Sequence, residues 1–129
     1  MTRREARIQA MQILYTNGFY NSSLLESLNY HEADEKEEIQ NFINLVVGNE
    51  EKIDSIISEC LVNYTIDRLN QVDKAIVRLA TAELLAGTAK NIVINEALEI
   101  TKEYSDQGDG KAVKFNNRLL DNIANKINQ

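Results

Sequence analysis

A chain of 129 residues with no proline and only five glycines has few places at which a helix must stop. Proline locks φ and removes a backbone donor, so its absence leaves long helices unbroken. Apolar residues recur at helical spacing almost from end to end. The stripes are Ala6, Ala10, Ile13 and Leu14; Ile39, Phe42, Ile43, Val46 and Val47; and Ile53, Ile56, Ile57, Leu61 and Tyr64. They continue as Leu69, Val72, Ile76 and Leu79; Ile94, Ala97, Leu98 and Thr101; and Val113, Leu120, Ile123, Ala124 and Ile127. No strand-like alternation competes with them. The pattern predicts an all-α fold, a compact bundle of six or seven helices, with residues 1–129 as one domain. Breaks are expected at Gly48, at Gly87, over Ser105–Gly110, and over residues 17–38, where an acidic run from Glu32 to Glu38 suits a helix start.

The composition narrows the function classes. A hydrophobic fraction of 43% and a charged fraction of 26% are those of a water-soluble domain. No apolar run approaches the ~20 residues that cross a bilayer. The N-terminus lacks the features of a secretory signal, so a cytoplasmic protein without a membrane partner is expected. One cysteine and one histidine leave no set of ligands for a structural zinc, and no metal or cofactor is expected. Cys60 falls in an apolar helical run and reads as an inert core thiol, and His31 as a neutral loop residue. The Ser105–Gly110 segment, SDQGDG, lacks the spacing and preceding strand of a phosphate loop. Nothing points to an enzyme.

Charge is distributed unevenly. The chain carries −6 overall, and residues 26–59 hold ten acids against two lysines. Both ends are basic instead. Arg3, Arg4 and Arg7 open the first helix, with Tyr15 on the Arg4 stripe. Lys111, Lys114 and Arg118 accompany Phe115 near the other end. Cations that hold phosphates and rings that stack on unpaired bases are the means by which single-stranded RNA is bound. The same residues also suit a core aromatic beside ordinary solubilising charge, and spacing alone favours that second reading because arginines are common on helix surfaces.

Read as consecutive words, the chain resembles the NusB family of transcription antitermination factors. RREARIQAMQILY opens it, followed by LNQVDKAIVRLATAELL from Leu69, INEALEITK from Ile94 and KFNNRLLDNIA from Lys114. The resemblance implies two packed helical halves and no catalysis. It also implies binding of boxA-type nascent RNA together with ribosomal protein NusE, and action on RNA polymerase through that assembly. Carried over, the RNA contacts are Arg3, Arg4, Arg7, Tyr15, Lys114 and Phe115, with Lys111 and Arg118 added for charge and proximity. Three departures from the family words stand out. Ala89 replaces a proline, Tyr64 a tryptophan, and Asn116-Asn117-Arg118 the sequence Val-Asn-Gly, which puts a bulky cation where close helix approach is expected. Two other readings keep the fold. One is an interaction module that self-associates as a homodimer or binds a ribosomal protein, with Glu83 as a contact. The other is the RNA-binding appendage of a ribosomal RNA methyltransferase, although no segment here suits a methyl donor.

Overall fold

The computed structural model describes residues 1–14 and 31–128. Among these, six α-helices follow one another: α1 (Arg3–Leu14), α2 (Ala33–Val46), α3 (Glu50–Cys60), α4 (Gln71–Leu85), α5 (Lys90–Tyr104) and α6 (Lys111–Ile127). A single 3-10 turn, Ile66–Arg68, precedes α4.

The apolar stripes become one continuous core. Ala6, Ala10, Ile13 and Leu14 pack with Ile39, Phe42, Ile43 and Val46, and the same cluster includes Ile53, Ile57, Ile76, Leu79, Ile100, Leu120 and Ile123. Helix α4 is the hub. It touches all five other helices, with α1 and α2 forming one group and α3, α5 and α6 another. Its composition explains this position: Ala75, Ile76, Val77, Leu79, Ala80, Thr81, Ala82 and Leu84 are all buried, so it is apolar around most of its circumference.

Local chemistry sets the helix ends. The Asn70 side chain accepts from the Asp73 N–H at 2.8 Å and so caps the start of α4. At its far end Gly87 adopts φ +94°. Its N–H donates to Leu84 O and that of Thr88 to Glu83 O, the paired bonds of a Schellman ending. The acidic run lies inside α2 rather than in a loop, with Asp34 and Glu35 in the first turn.

One boundary differs from the sequence pattern. The stripe Ile53, Ile56, Ile57, Leu61 and Tyr64 predicts a helix through Tyr64, but α3 ends at Cys60. Leu61 is already extended, and Asn63 sits at φ 54°, a left-handed conformation that asparagine tolerates better than most residues. Leu61 and Tyr64 still pack on the helices, but from the turn.

Candidate nucleic-acid interface

Each N-terminal arginine is held by a carboxylate from another helix. Arg3 Nη1 donates to Glu38 Oε1 of α2 at 3.3 Å, with its guanidinium 5.0 Å from the centre of the Phe42 ring. Arg4 Nε and Nη2 donate to the two oxygens of Glu96 on α5 at 2.6 and 3.2 Å. That hydrogen bond and its charge raise the Arg4 pKa and lower that of Glu96. Both guanidinium groups are exposed while their carboxylates are partly buried, so a phosphate can reach either arginine but competes there with Glu38 or Glu96.

Arg7 is different. Arg7 is 4% exposed and Glu83 is 2% exposed. Nε donates to Oε2 at 2.9 Å and Nη2 to Oε1 at 2.8 Å, a two-pronged fork between α1 and α4. The pair bears on two expected contacts together, Arg7 with RNA and Glu83 with a protein partner. Arg7 can reach a phosphate, and Glu83 a protein partner, only by breaking a desolvated ion pair, so the pair serves to lock helices together. Sequence spacing cannot find such a pair, because its members are 76 positions apart. Tyr15 lies outside the described residues.

The other basic end is built on α6. The turn before it uses its own aspartates: Asp106 Oδ2 accepts from the N–H groups of Gly108 and Gly110, and Asp109 Oδ1 from that of Lys111. Gly110 at φ +75° then starts the helix. Lys111, Lys114, Phe115 and Arg118 follow at i, i+3, i+4 and i+7, which puts them on one face, and all four are exposed. None of the three cations has a carboxylate partner among the described residues.

Phe115 is 39% exposed and is supported from behind by Tyr64 and Arg68. The Tyr64 ring lies 5.5 Å from that of Phe115, tilted by 60°. The Arg68 guanidinium covers Tyr64 at 4.7 Å, and the Tyr64 hydroxyl donates to Arg68 O at 3.0 Å. The result is a row of Arg68, Tyr64 and Phe115 with a fourth cation at its end, one without a carboxylate partner among the described residues. No α-helical period links residues 64 and 68, because Arg68 ends the 3-10 turn that begins at Ile66. Only the family aromatic at Tyr64 hinted at this.

The altered Asn116-Asn117-Arg118 word resolves residue by residue. Arg118 and Asn117 face solvent, so no close helix approach is obstructed. Asn116 is fully buried, and its Nδ2 donates to Asp73 Oδ1 and Thr101 Oγ1, both at 3.1 Å. Ser105 Oγ donates to the same Asp73 oxygen at 2.6 Å, so one polar knot ties α4, α5, α6 and the turn before α6. Cys60, expected as a core thiol, is half-buried and lines a cavity beside Phe115, and burial raises its pKa. His31 is half-buried, with Nδ1 3.7 Å from Glu35.

Arg4 meets α5 at Glu96 and Asn116 meets it at Thr101. Five residues correspond to about 140° around a helix and ~7.5 Å along it, so α1 and α6 contact α5 at different points. No helix among the described residues is long and apolar enough to cross a membrane.

Fold and surface together define an all-helical protein whose exposed chemistry, cations and an aromatic face, is that of attachment to an anionic ligand. Comparison with known proteins gives the lineage. A family profile described as the NusB family matches residues 4–125. The transcription antitermination protein NusB of Bacillus pumilus is 38% identical, covering 100% of this chain and 99% of its own. A T. maritima NusB structure superposes with a TM-score of 0.83 at 30% identity, covering 98% of this chain and 92% of that one. A crystal structure of antitermination factors NusB and NusE in complex with dsRNA gives 0.79 at 32% identity, covering 96% of each. The chain belongs to the NusB family.

Proposed function

We propose that this chain is a non-catalytic, cytoplasmic transcription antitermination factor. It binds boxA-type RNA together with ribosomal protein NusE and acts on RNA polymerase within that assembly, chiefly during ribosomal RNA synthesis. The observation that carries the reading is the unpaired cationic face of α6. In a protein of net charge −6, Lys111, Lys114 and Arg118 stand without carboxylate partners among the described residues, around an exposed ring. Such a face attracts a polyanion locally, where the charge of the whole chain would repel one.

In this reading Lys111 and Lys114 neutralise phosphates, Arg118 adds positive charge beside them, and Phe115 stacks on an unpaired base. Arg3 and Arg4 form a second contact, reached when phosphates displace Glu38 and Glu96. A strand crossing α5 joins the two. The relative solved with NusE and RNA supports both partners, and its RNA is described as double-stranded. An exposed stacking ring favours a single strand here.

The test is a titration of labelled boxA-type RNA, single-stranded and duplex, against the protein with and without NusE at two salt concentrations. Tight, salt-sensitive binding of the single strand supports the reading, and binding only with NusE indicates a composite site. No RNA binding under either condition, with NusE still bound, would leave an interaction module instead.

A further inference from the structure

The Lys111–Arg118 face borders a cavity of about 190 Å³ lined by Cys60, Leu61, Val62, Phe115, Arg118, Leu119 and Asn122. We propose that this cavity receives one nucleobase of the bound RNA, with Phe115 as its stacking face and the Arg118 guanidinium donating to its edge. The inference rests on the RNA reading above and adds to it a pocket that selects among bases.

Three observations converge. First, the buried Leu119 with the half-buried Leu61 and Cys60 gives the cavity an apolar floor, while the exposed Arg118 and the half-buried Asn122 supply polar groups. A planar heterocycle fits such a division, with its face on the apolar part and its acceptors toward the donors. Second, the Arg118 guanidinium has no acceptor among the described residues, so its donors are available to a ligand. Third, the wall is preassembled. Tyr64, itself covered by Arg68, supports the Phe115 ring before any ligand arrives, which reduces the ordering cost of binding. Val62, 67% exposed at the mouth, is an apolar surface left open to solvent. An aliphatic side chain of a protein partner would use the floor but leave the guanidinium and the neighbouring Lys114 unanswered. A base carried on a phosphate backbone uses all of them.

The single cysteine makes this testable without altering the wild-type chain, because its alkylation rate reports on the cavity alone. Single-stranded RNA is scanned with one abasic site at a time, in the presence of NusE if binding requires it. Affinity is read for wild type and Arg118→Gly, together with the rate at which iodoacetamide modifies wild-type Cys60. At one RNA position the abasic site should weaken wild-type binding by about tenfold, within the range for one stacked base. That penalty should shrink in Arg118→Gly, which keeps the Phe115 stack but removes the donors to the base edge. Intact RNA should slow Cys60 alkylation, and the RNA abasic at that position should not, although its phosphates are unchanged. Equal abasic penalties in both proteins would overturn the pocket while leaving RNA binding intact. Protection of Cys60 by NusE without RNA would overturn it in favour of a protein contact. Failure of wild type to bind RNA at all would remove the underlying reading as well.

Discussion

Arg7 and Glu83 meet in a buried two-pronged ion pair that joins the first helix to the central one. The Arg7 guanidinium also lies 5.0 Å from the centre of the Phe42 ring, so one side chain ties α1 to both α4 and α2. This fastening holds Arg3 and Arg4 at the protein surface one turn earlier, where they can meet a ligand.

Breaking the pair from one side should be costly. Glu83→Ala strands a buried guanidinium and should lower unfolding free energy by about 3–5 kcal/mol. Replacing both partners with apolar residues, Arg7→Met with Glu83→Leu, should recover much of that loss. Urea denaturation measures both, and a loss below about 1 kcal/mol for Glu83→Ala would show that the pair does not lock the helices.

The exposed cations should behave in the opposite way. Arg3→Ala with Arg4→Ala, and separately Lys111→Ala with Lys114→Ala, should leave the melting temperature nearly unchanged. Each lost phosphate contact should flatten the log–log salt dependence of single-strand RNA binding by roughly 0.7. A pair that changes neither affinity nor slope is not in the RNA site.

The Asp73, Asn116, Thr101 and Ser105 knot fixes where α6 lies on α4 and α5. Asn116→Ala removes two buried donor contacts and opens a small void, and should cost about 1–3 kcal/mol. Because it also loosens the α6 face, RNA affinity should fall even though Asn116 is buried. Thermal unfolding alongside an RNA titration checks both effects, and unchanged stability would contradict the knot.

Ala89 stands at φ −58°, within the range that proline imposes, and immediately precedes the first residue of α5. No hydrogen bond from its N–H is present among the described residues. Ala89→Pro should therefore stabilise the fold by about 0.4–1 kcal/mol through the unfolded chain. A lower denaturation midpoint would show that Thr88 cannot accept the neighbouring ring.

The Arg4–Glu96 pair predicts a pH dependence. Glu96 has a lowered pKa in the folded state because Arg4 bonds its charged form. The stability it contributes is present above the ordinary glutamate pKa of about 4.3 and is lost as pH falls through the lowered folded value. The stability difference between wild type and Glu96→Gln should be constant near neutral pH and shrink below about pH 4.3. A difference that persists unchanged into acid would separate Glu96 from Arg4.

The sequence by itself determined the helices. Stripes such as Ile39, Phe42, Ile43 and Val46 are properties of neighbours three and four positions apart, and Gly87 and Asn70 mark their own boundaries locally. It also placed cations and an aromatic ring on one face of α6, because that face lies within a single helix. The family words ordered these pieces and named the work they do. Only the tertiary structure decided which arginines remain available. Arg3, Arg4 and Arg7 look equivalent in a row, yet Glu83 removes Arg7 from solvent while Glu38 and Glu96 leave the other two at the surface. It also converted Asn116 from an anomaly into a buried donor, and brought Tyr64 and Arg68 behind Phe115. Each of these outcomes depends on residues far apart in sequence, and whether a charge is solvated or locked in a pair is set by what packs against it.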